Sequence, residues 1–410
     1  MNEIKKTTII DYGYDGEGVG RVDGKVCFVP FTIKGEDVNF EVIKNKKSFY
    51  QGRLKEVLKE SALRIEPPCK YFGRCGGCRY QHLPYDEELK IKAELLKRQL
   101  GKVGFDGDIE VVPTELEYQY RNKIKLFAGD GKMGLKYLAS NKICDIKECK
   151  ICDGLICEAI KYISNFVKGN NLYKKIVNII LRQEGDGCLI NFITNGDYEI
   201  NYQGLQLLLG EKYGIFQTYQ KISRHICGKE FLEVEEFGLN CKYSPQSFHQ
   251  VNGNVCQKLY SEVLGYVRGK TLNCYSGNGV LSGIIAKGTN NRVVGIEIGK
   301  AEHQEAERLK EENKLYNLVN INGDCDEVVK NNREKFSTII VDPPRNGLSE
   351  VMCENLLNKS AQRLIYISCN SATLVRDLGR IKAYRIKKVY LFDMFARTGE
   401  YEVMVFLKKD

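Results

Sequence analysis

From about residue 245 the chain adopts a rhythm that few folds can accommodate. TLNCYS, RVVGIE, LVNIN, STIIVD, RLIYISC and EYEVMVFL are apolar runs of strand length, and helical stretches such as KAEHQEAERLKEENKL lie between several of them. Strands that are apolar throughout are buried on both faces, and the intervening helices provide the cover. The alternation predicts a doubly wound α/β domain over residues 241–410. In such a domain ligands gather at the carboxyl ends of the strands, so the residues just after each run are where chemistry is expected.

The rest of the chain reads differently. Residues 1–58 alternate apolar and polar positions between turns at DGEG, DGK and KGED, which suggests about five short strands closing into a small barrel. Pro67 and Pro68 end this unit. Residues 59–240 form a second region, with a cysteine-rich stretch, a helix over 85–102 and an antiparallel sheet with helices from 109 onward. That helix carries Leu89, Ala93, Leu96 and Leu100 on one stripe, a face suited to packing on the C-terminal domain. No apolar run approaches the roughly 20 residues a bilayer needs, and the N-terminus lacks a signal-peptide core, so a cytoplasmic protein is expected. The net charge is a mild +9, and residues 118–152 contribute eight Lys/Arg against three Asp/Glu. Within that stretch EYQYRNKIKLF interleaves Tyr118, Tyr120 and Phe127 with Arg121, Lys123 and Lys125, the mixture that base stacking and phosphate contacts require.

The first α/β strand runs into NCYSGNGVLSG, where glycines let the backbone approach a ligand. The third glycine of a dinucleotide fingerprint is missing, which argues against a dehydrogenase. Glu297 ends the second strand, about 20 residues on, where an acid can accept from both ribose hydroxyls. Asp324 follows the third strand, near an expected adenine edge. Glycine loop, acid and acid, in this order, is the arrangement of S-adenosylmethionine (SAM) methyltransferases. The fourth strand ends in DPPRNG, whose two prolines stiffen the segment that presents Asp342.

Cys369 closes the fifth strand on the same edge and is the candidate nucleophile. Its thiolate needs electropositive surroundings, for which Arg345 and Arg376 are candidates. Two carboxylates near the start of the last strand, Glu400 and Glu402, are candidate bases. The 16 cysteines, in a chain without an export signal, should stay reduced. Cys69, Cys75 and Cys78 form C-x5-C-x2-C, with Cys144, Cys149, Cys152 and Cys157 downstream. Spacing leaves an iron–sulfur cluster, structural zinc and no metal all open. A radical-SAM centre would need C-x3-C-x2-C.

Taken together, YSPQSFHQVN, NCYSGNGVLS, GIE, DPPRNG, SCNSATLVRD and DMFARTGEYE resemble, in order, the RNA uracil-5 methyltransferases. Residues 1–58 resemble a TRAM domain, an oligonucleotide-fold RNA-binding module, at Gly16, Gly18, Gly20 and Pro30. The resemblance implies a TRAM barrel, a central iron–sulfur region and a Rossmann-like catalytic domain. It implies Gln250, Tyr275, Glu297 and Asp342 as SAM-site residues, with Cys369 as nucleophile and Glu402 as base. Cys69, Cys75, Cys78 and, through DIKECKI, Cys149 correspond to the ligands of a [4Fe–4S] cluster in the ribosomal-RNA branch. Arg121, Lys123 and Arg345 are the expected RNA contacts. Asn273, Ala396 and Glu400 depart from the family pattern, standing where an acid, a proline and a histidine are usual. The expected substrate is a uridine in single-stranded or loop 23S ribosomal RNA, flipped out of its stack and modified by a monomer. The transfer-RNA uracil-54 enzyme is the alternative, and a non-catalytic RNA-binding protein that retains SAM is the alternative of another class. A cytosine-5 enzyme would carry a second cysteine in the fourth-strand motif, and DPPRNG has none.

Overall fold

The computed structural model describes residues 3–359 and 361–409. The N-terminal sheet has six strands in the order Ile4–Thr8, Asp37–Asn45, Phe49–Lys59, Lys25–Val29, Gly18–Val22, Asp11–Tyr12. Its two end strands follow one another in the chain, so a single segment pairs with both neighbours and closes the sheet into a barrel. Ile9, Cys27, Val29, Val38 and Phe40 fill it. The DGEG turn is wedged against its surroundings: a side chain on Gly16 (φ +79°) would collide with the Tyr80 ring.

A seven-stranded sheet follows, running Ile143–Asp145, Lys132–Lys136, Lys123–Gly129, Ile176–Glu184, Gly187–Thr194, Tyr213–Tyr219, Ile222–Gly228. It is antiparallel except where Gly187–Thr194 meets Tyr213–Tyr219 in parallel, because the helix Gln203–Leu209 lies in that connection. The helix Gly154–Gly169 buries Ile156, Ala159, Ile160, Ile163 and Val167 at i, i+3 and i+4 spacings in the core beneath.

The third sheet has eight strands: Leu318–Asn322, Val293–Glu297, Thr271–Cys274, Thr338–Val341, Arg363–Ser368, Glu402–Lys409, Tyr384–Phe392 and Ile109–Val112. The first five are parallel, and Glu402–Lys409 enters antiparallel. Strand order reverses at Thr271–Cys274, so successive connections leave on opposite sides and open a crevice above the ends of that strand and Thr338–Val341. Two strands of this sheet are not foreseen from the sequence. Tyr384–Phe392 is interrupted by Arg385, Lys387 and Lys388 on its solvent side. Ile109–Val112, expected to open the central sheet, instead extends the last one by pairing with Val389–Phe392. Four residues carry too little pattern to reveal which sheet they join.

The helix Tyr85–Leu100 is buried on two sides, which is more than one apolar stripe provides. Leu96 and Leu100 join a core with Leu272, Val341 and Leu364, while Ile91 and Leu95 pack with Ile33, Tyr80 and Leu83. Among the described residues no helix is long and apolar enough to cross a membrane.

Candidate active site and cysteine cavity

The crevice at the switch point is shaped by turns and hydrogen bonds of the chain itself. Tyr275 and Gly277 both adopt left-handed backbone (φ +61° and +55°), which turns the chain sharply out of the first strand. The Glu297 carboxylate already accepts from the Gly277 amide at 2.9 Å and the Gly299 amide at 2.7 Å, so its orientation is set. Gly279 (φ +81°) opens the following helix at a point where a Cβ would lie 2.7 Å from that of Ala306. Asn273, where an acid is usual, donates to Ser282 Oγ at 2.9 Å and ties strand to helix. Asp324 caps the helix Cys325–Asn331, accepting from the Asp326 amide at 2.8 Å. Gln250 is buried, and its carbonyl accepts from Asn122 at 3.1 Å. Burial lifts the Asp342 carboxyl to about 7. Fixed acids and positive-φ glycines at the carboxyl ends of adjacent parallel strands are chemistry that fits a nucleoside with a charged aminoacyl tail.

Cys369 and Glu402 reach the same edge from neighbouring antiparallel strands, since Ser368 pairs with Val403 and the two residues of interest come next in register. Burial pushes the Cys369 thiol up to about 11; Glu402 adds to this and Arg345 opposes it. Burial, with the charges of Asp342 and Glu400, also holds Glu402 well above the usual carboxylate range. Glu402 is 4% exposed and its Oε2 has no hydrogen-bond partner among the described residues. A buried carboxylate oxygen left unpaired is costly, and is a recurring mark of a group kept free for chemistry. Arg345 and Glu400 form an exposed ion pair across the mouth. The cleft beside Cys369 is lined also by Tyr14 from the barrel, Lys102 and Tyr401.

Several expectations need correction. Arg376 lines the same cleft as Cys369, but its Nη2 is engaged, donating to the carbonyls of Asn346 at 2.7 Å and Leu348 at 3.1 Å and holding the DPPRNG loop. Tyr120 cannot stack on a base, because it is 6% exposed and its hydroxyl donates to the Ala396 carbonyl at 2.8 Å. Lys123 points inward, its ammonium 3.4 Å from the Ser247 carbonyl, and burial beside Arg182 lowers its pKa to about 8. Strand alternation puts Lys123 and Lys125 on one sheet face, and the segment around Ser247 covers the Lys123 end of it while Lys125 stays exposed. Arg121 and Lys125 do line an open groove, together with Arg79 and Glu400. Tyr118 lies against the Arg397 guanidinium at 5.4 Å.

Cys69, Cys75, Cys78 and Cys149 line one small cavity of about 30 Å³. The Gly77 amide donates to Cys75 Sγ at 3.4 Å, and a Cβ on Gly76 would sit 3.0 Å from the Lys136 carbonyl, so glycines permit this wrap. Cys152 and Cys144 do not line it. Cys152 is instead hydrogen-bonded to Cys149, and this contact brings the Cys149 thiol down to about 7. Among the described residues no group of three or more His, Cys, Asp or Glu is placed to hold a metal ion. The iron–sulfur expectation therefore has convergence of the four thiols on one cavity, and nothing beyond it.

Sequence reasoning missed Asn278, which holds the segment before Gln250 by donating to the Phe248 carbonyl at 2.8 Å, and Glu305, which accepts from Ser244 at 2.9 Å. It also missed Arg397, buried in the loop that precedes Glu402. None of these stands in a local pattern that marks function.

The model of the tRNA (uracil-5-)-methyltransferase family matches residues 220–410, and that of the TRAM domain residues 4–55. The chain is 31% identical to an RNA methyltransferase of Caldanaerobacter subterraneus subsp. tengcongensis, covering 99% of both chains. It is 31% identical to one of Clostridium acetobutylicum, covering 98% of this chain and 96% of the other. The solved structure of the Pyrococcus abyssi tRNA (uracil-54, C5)-methyltransferase with S-adenosyl-L-homocysteine superposes with a TM-score of 0.82 at 26% identity, covering 98% of this chain and all of that one. With the glycine loop, the fixed acids and the paired Cys369 and Glu402 in place, these likenesses agree: the chain belongs to the RNA uracil-5 methyltransferase family and is a SAM-dependent RNA methyltransferase with an N-terminal TRAM domain.

Proposed function

We propose that this enzyme methylates C5 of a uridine in 23S ribosomal RNA through a covalent bond between Cys369 and uracil C6. The observation that carries the chemistry is the juxtaposition of a half-buried thiol and a buried, unpaired carboxylate at adjacent strand ends. Cys369 Sγ, as thiolate, adds to C6; the C5–C6 π electrons move onto the C4 oxygen and make C5 an enolate carbon. Gln250, Tyr275, Glu297, Asp324 and Asp342 would hold SAM, which would supply an electrophilic methyl group to that carbon. Glu402 then takes the C5 proton, the C–H electrons restore the C5–C6 double bond, and the C6–S pair returns to Cys369. Arg345 stabilises the thiolate at both ends of this cycle.

Cys69, Cys75, Cys78 and Cys149 would hold a [4Fe–4S] cluster, which supplies a covalent cross-link between distant segments and transfers no electron in this reaction. Arg121, with Lys125 and Arg79, forms the cationic side of the RNA groove, and Arg345 meets the target nucleotide. Residues 1–58, 59–240 and 241–410 serve as barrel, cluster-bearing and catalytic domains. The enzyme acts in the cytoplasm as a monomer on a flipped uridine.

A second reading, uridine 54 of transfer RNA, is favoured by one observation. The Pyrococcus abyssi transfer-RNA enzyme matches 98% of this chain, so the presence of a barrel does not by itself select ribosomal RNA. Mass-spectrometric mapping of 5-methyluridine in ribosomal and transfer RNA, with and without the gene, separates the two. Loss of the mark from 23S RNA alone supports the first reading, and loss from transfer RNA alone replaces it with the second.

A further inference from the structure

The loop that leads to Glu402 is held by its own sheet, where the Asp393 amide donates to the Val112 carbonyl at 3.0 Å, and by side chains from outside that sheet. Asp393 at its start accepts from Lys92 at 2.7 Å and Tyr85 at 2.6 Å, and the Ala396 carbonyl accepts from Tyr120. Gly399 passes so close to the barrel that a Cβ there would lie 3.0 Å from the Asp15 carbonyl. Between them stands Arg397, 3% exposed and in left-handed backbone at φ +66°, a conformation disfavoured for a residue with a side chain.

Arg397 is gripped through its amide, its carbonyl and both terminal guanidinium nitrogens, while its Nε has no hydrogen-bond partner among the described residues. Its amide donates to Glu88 Oε1 at 2.8 Å. Its carbonyl accepts from the amides of Arg79 at 2.8 Å and Tyr80 at 3.2 Å, the two residues directly after Cys78. Its guanidinium donates to the Leu83 carbonyl at 2.7 Å and the Tyr80 carbonyl at 3.3 Å, and pairs with Glu117. The rings of Tyr85 and Tyr118 cover it, each 5.4 Å away. Cys369 also has support that does not pass through Arg397: Asn370, next to it, donates to the Arg345 carbonyl at 3.0 Å and caps its own helix.

We propose that Arg397 is a positioning residue that couples the Cys75–Cys78 segment to Glu402, so that removal of the C5 proton depends on it and addition of the thiol does not. The inference rests on Glu402 being the base. Proton removal sends the C5–H electrons into the C5–C6 bond and the C6–S electrons back to sulfur; if Glu402 is displaced, the reaction stops at the methylated adduct. The segment carrying Cys75 and Cys78 thereby sets the geometry of the last step.

The test follows the RNA–protein adduct on denaturing gels alongside steady-state turnover. In Arg397→Met the adduct should accumulate and turnover should fall roughly 100-fold, the scale of a misplacement near 1 Å, while adduct forms at the wild-type rate. Arg397→Lys, which keeps the charge, should recover part of the turnover. Should Arg397→Met be insoluble, Glu117→Gln removes a single, partly exposed partner and should give the same pattern more weakly. Adduct formation that falls in step with turnover, or turnover that is unchanged, overturns the coupling. Glu402→Gln is the reference: if it traps adduct and Arg397→Met does not, only the coupling fails, and if it traps none, the base assignment falls and the coupling with it.

Discussion

Glu402 follows in register from the Ser368–Val403 pair that brings it beside Cys369, and its charge raises the cost of ionising the Cys369 thiol. Two anions cannot share that edge cheaply, so the pair works in sequence: thiolate first, carboxylate after the thiol is bonded to carbon. Cys369→Ala should therefore abolish methylation of RNA by tritiated SAM, and Cys369→Ser should behave alike because an alkoxide is harder to form. Residual wild-type rates in either variant exclude the covalent route.

Arg345 is the cation that opposes the rise of the Cys369 thiol to about 11. Below that value thiolate grows about tenfold per pH unit, so alkylation of Cys369 by iodoacetamide should rise with pH toward 11. Removing the guanidinium in Arg345→Met should move the midpoint of this profile to higher pH. If the midpoint rises by about one pH unit, alkylation at pH 8 slows about tenfold. An unchanged profile means that Arg345 does not face the thiol in solution.

Asp342 sits near 7 because burial disfavours its anion. A ligand with a cationic sulfonium and ammonium favours that anion, so SAM should bind more tightly as pH rises from 6 to 8 and weaken as the carboxyl is protonated. Calorimetric titration with SAM should show this slope, and Asp342→Asn should bind weakly with the slope removed. A slope that persists in the variant places the titrating group elsewhere.

The four thiols around the cysteine cavity should retain iron when the protein is purified without air. Cys75→Ala, Cys78→Ala and Cys149→Ala should each lower iron content and the visible charge-transfer absorbance, whereas Cys144→Ala and Cys152→Ala should not. Equal loss from Cys152→Ala would replace Cys149 as the fourth ligand, and stoichiometric zinc in place of iron would replace the cluster.

The two regions were unequally legible for a physical reason. The glycine loop, Glu297, Asp342 and Cys369 are legible because each follows an apolar run, and parallel strands carry their functional residues at one end. The cysteines at 69, 75 and 78 are legible through spacing alone. Lys123 and Tyr120 misled because alternation says which side chains share a face of a strand but not what covers that face.

What the chain's own order of residues determined is the α/β alternation, the glycine and acid positions, and the candidate thiols, because each depends on neighbours a few residues apart. Only the tertiary structure decided that Arg345 rather than Arg376 meets Cys369 and that Ile109–Val112 completes the last sheet. The same holds for Glu402, whose loop is anchored by contacts such as Lys92 to Asp393, 301 residues apart in the chain. Such contacts follow from how the separate cores close on one another, and no local period records them. The sixteen cysteines show both sides: their number and spacing are sequence, and the convergence of four on one cavity is fold.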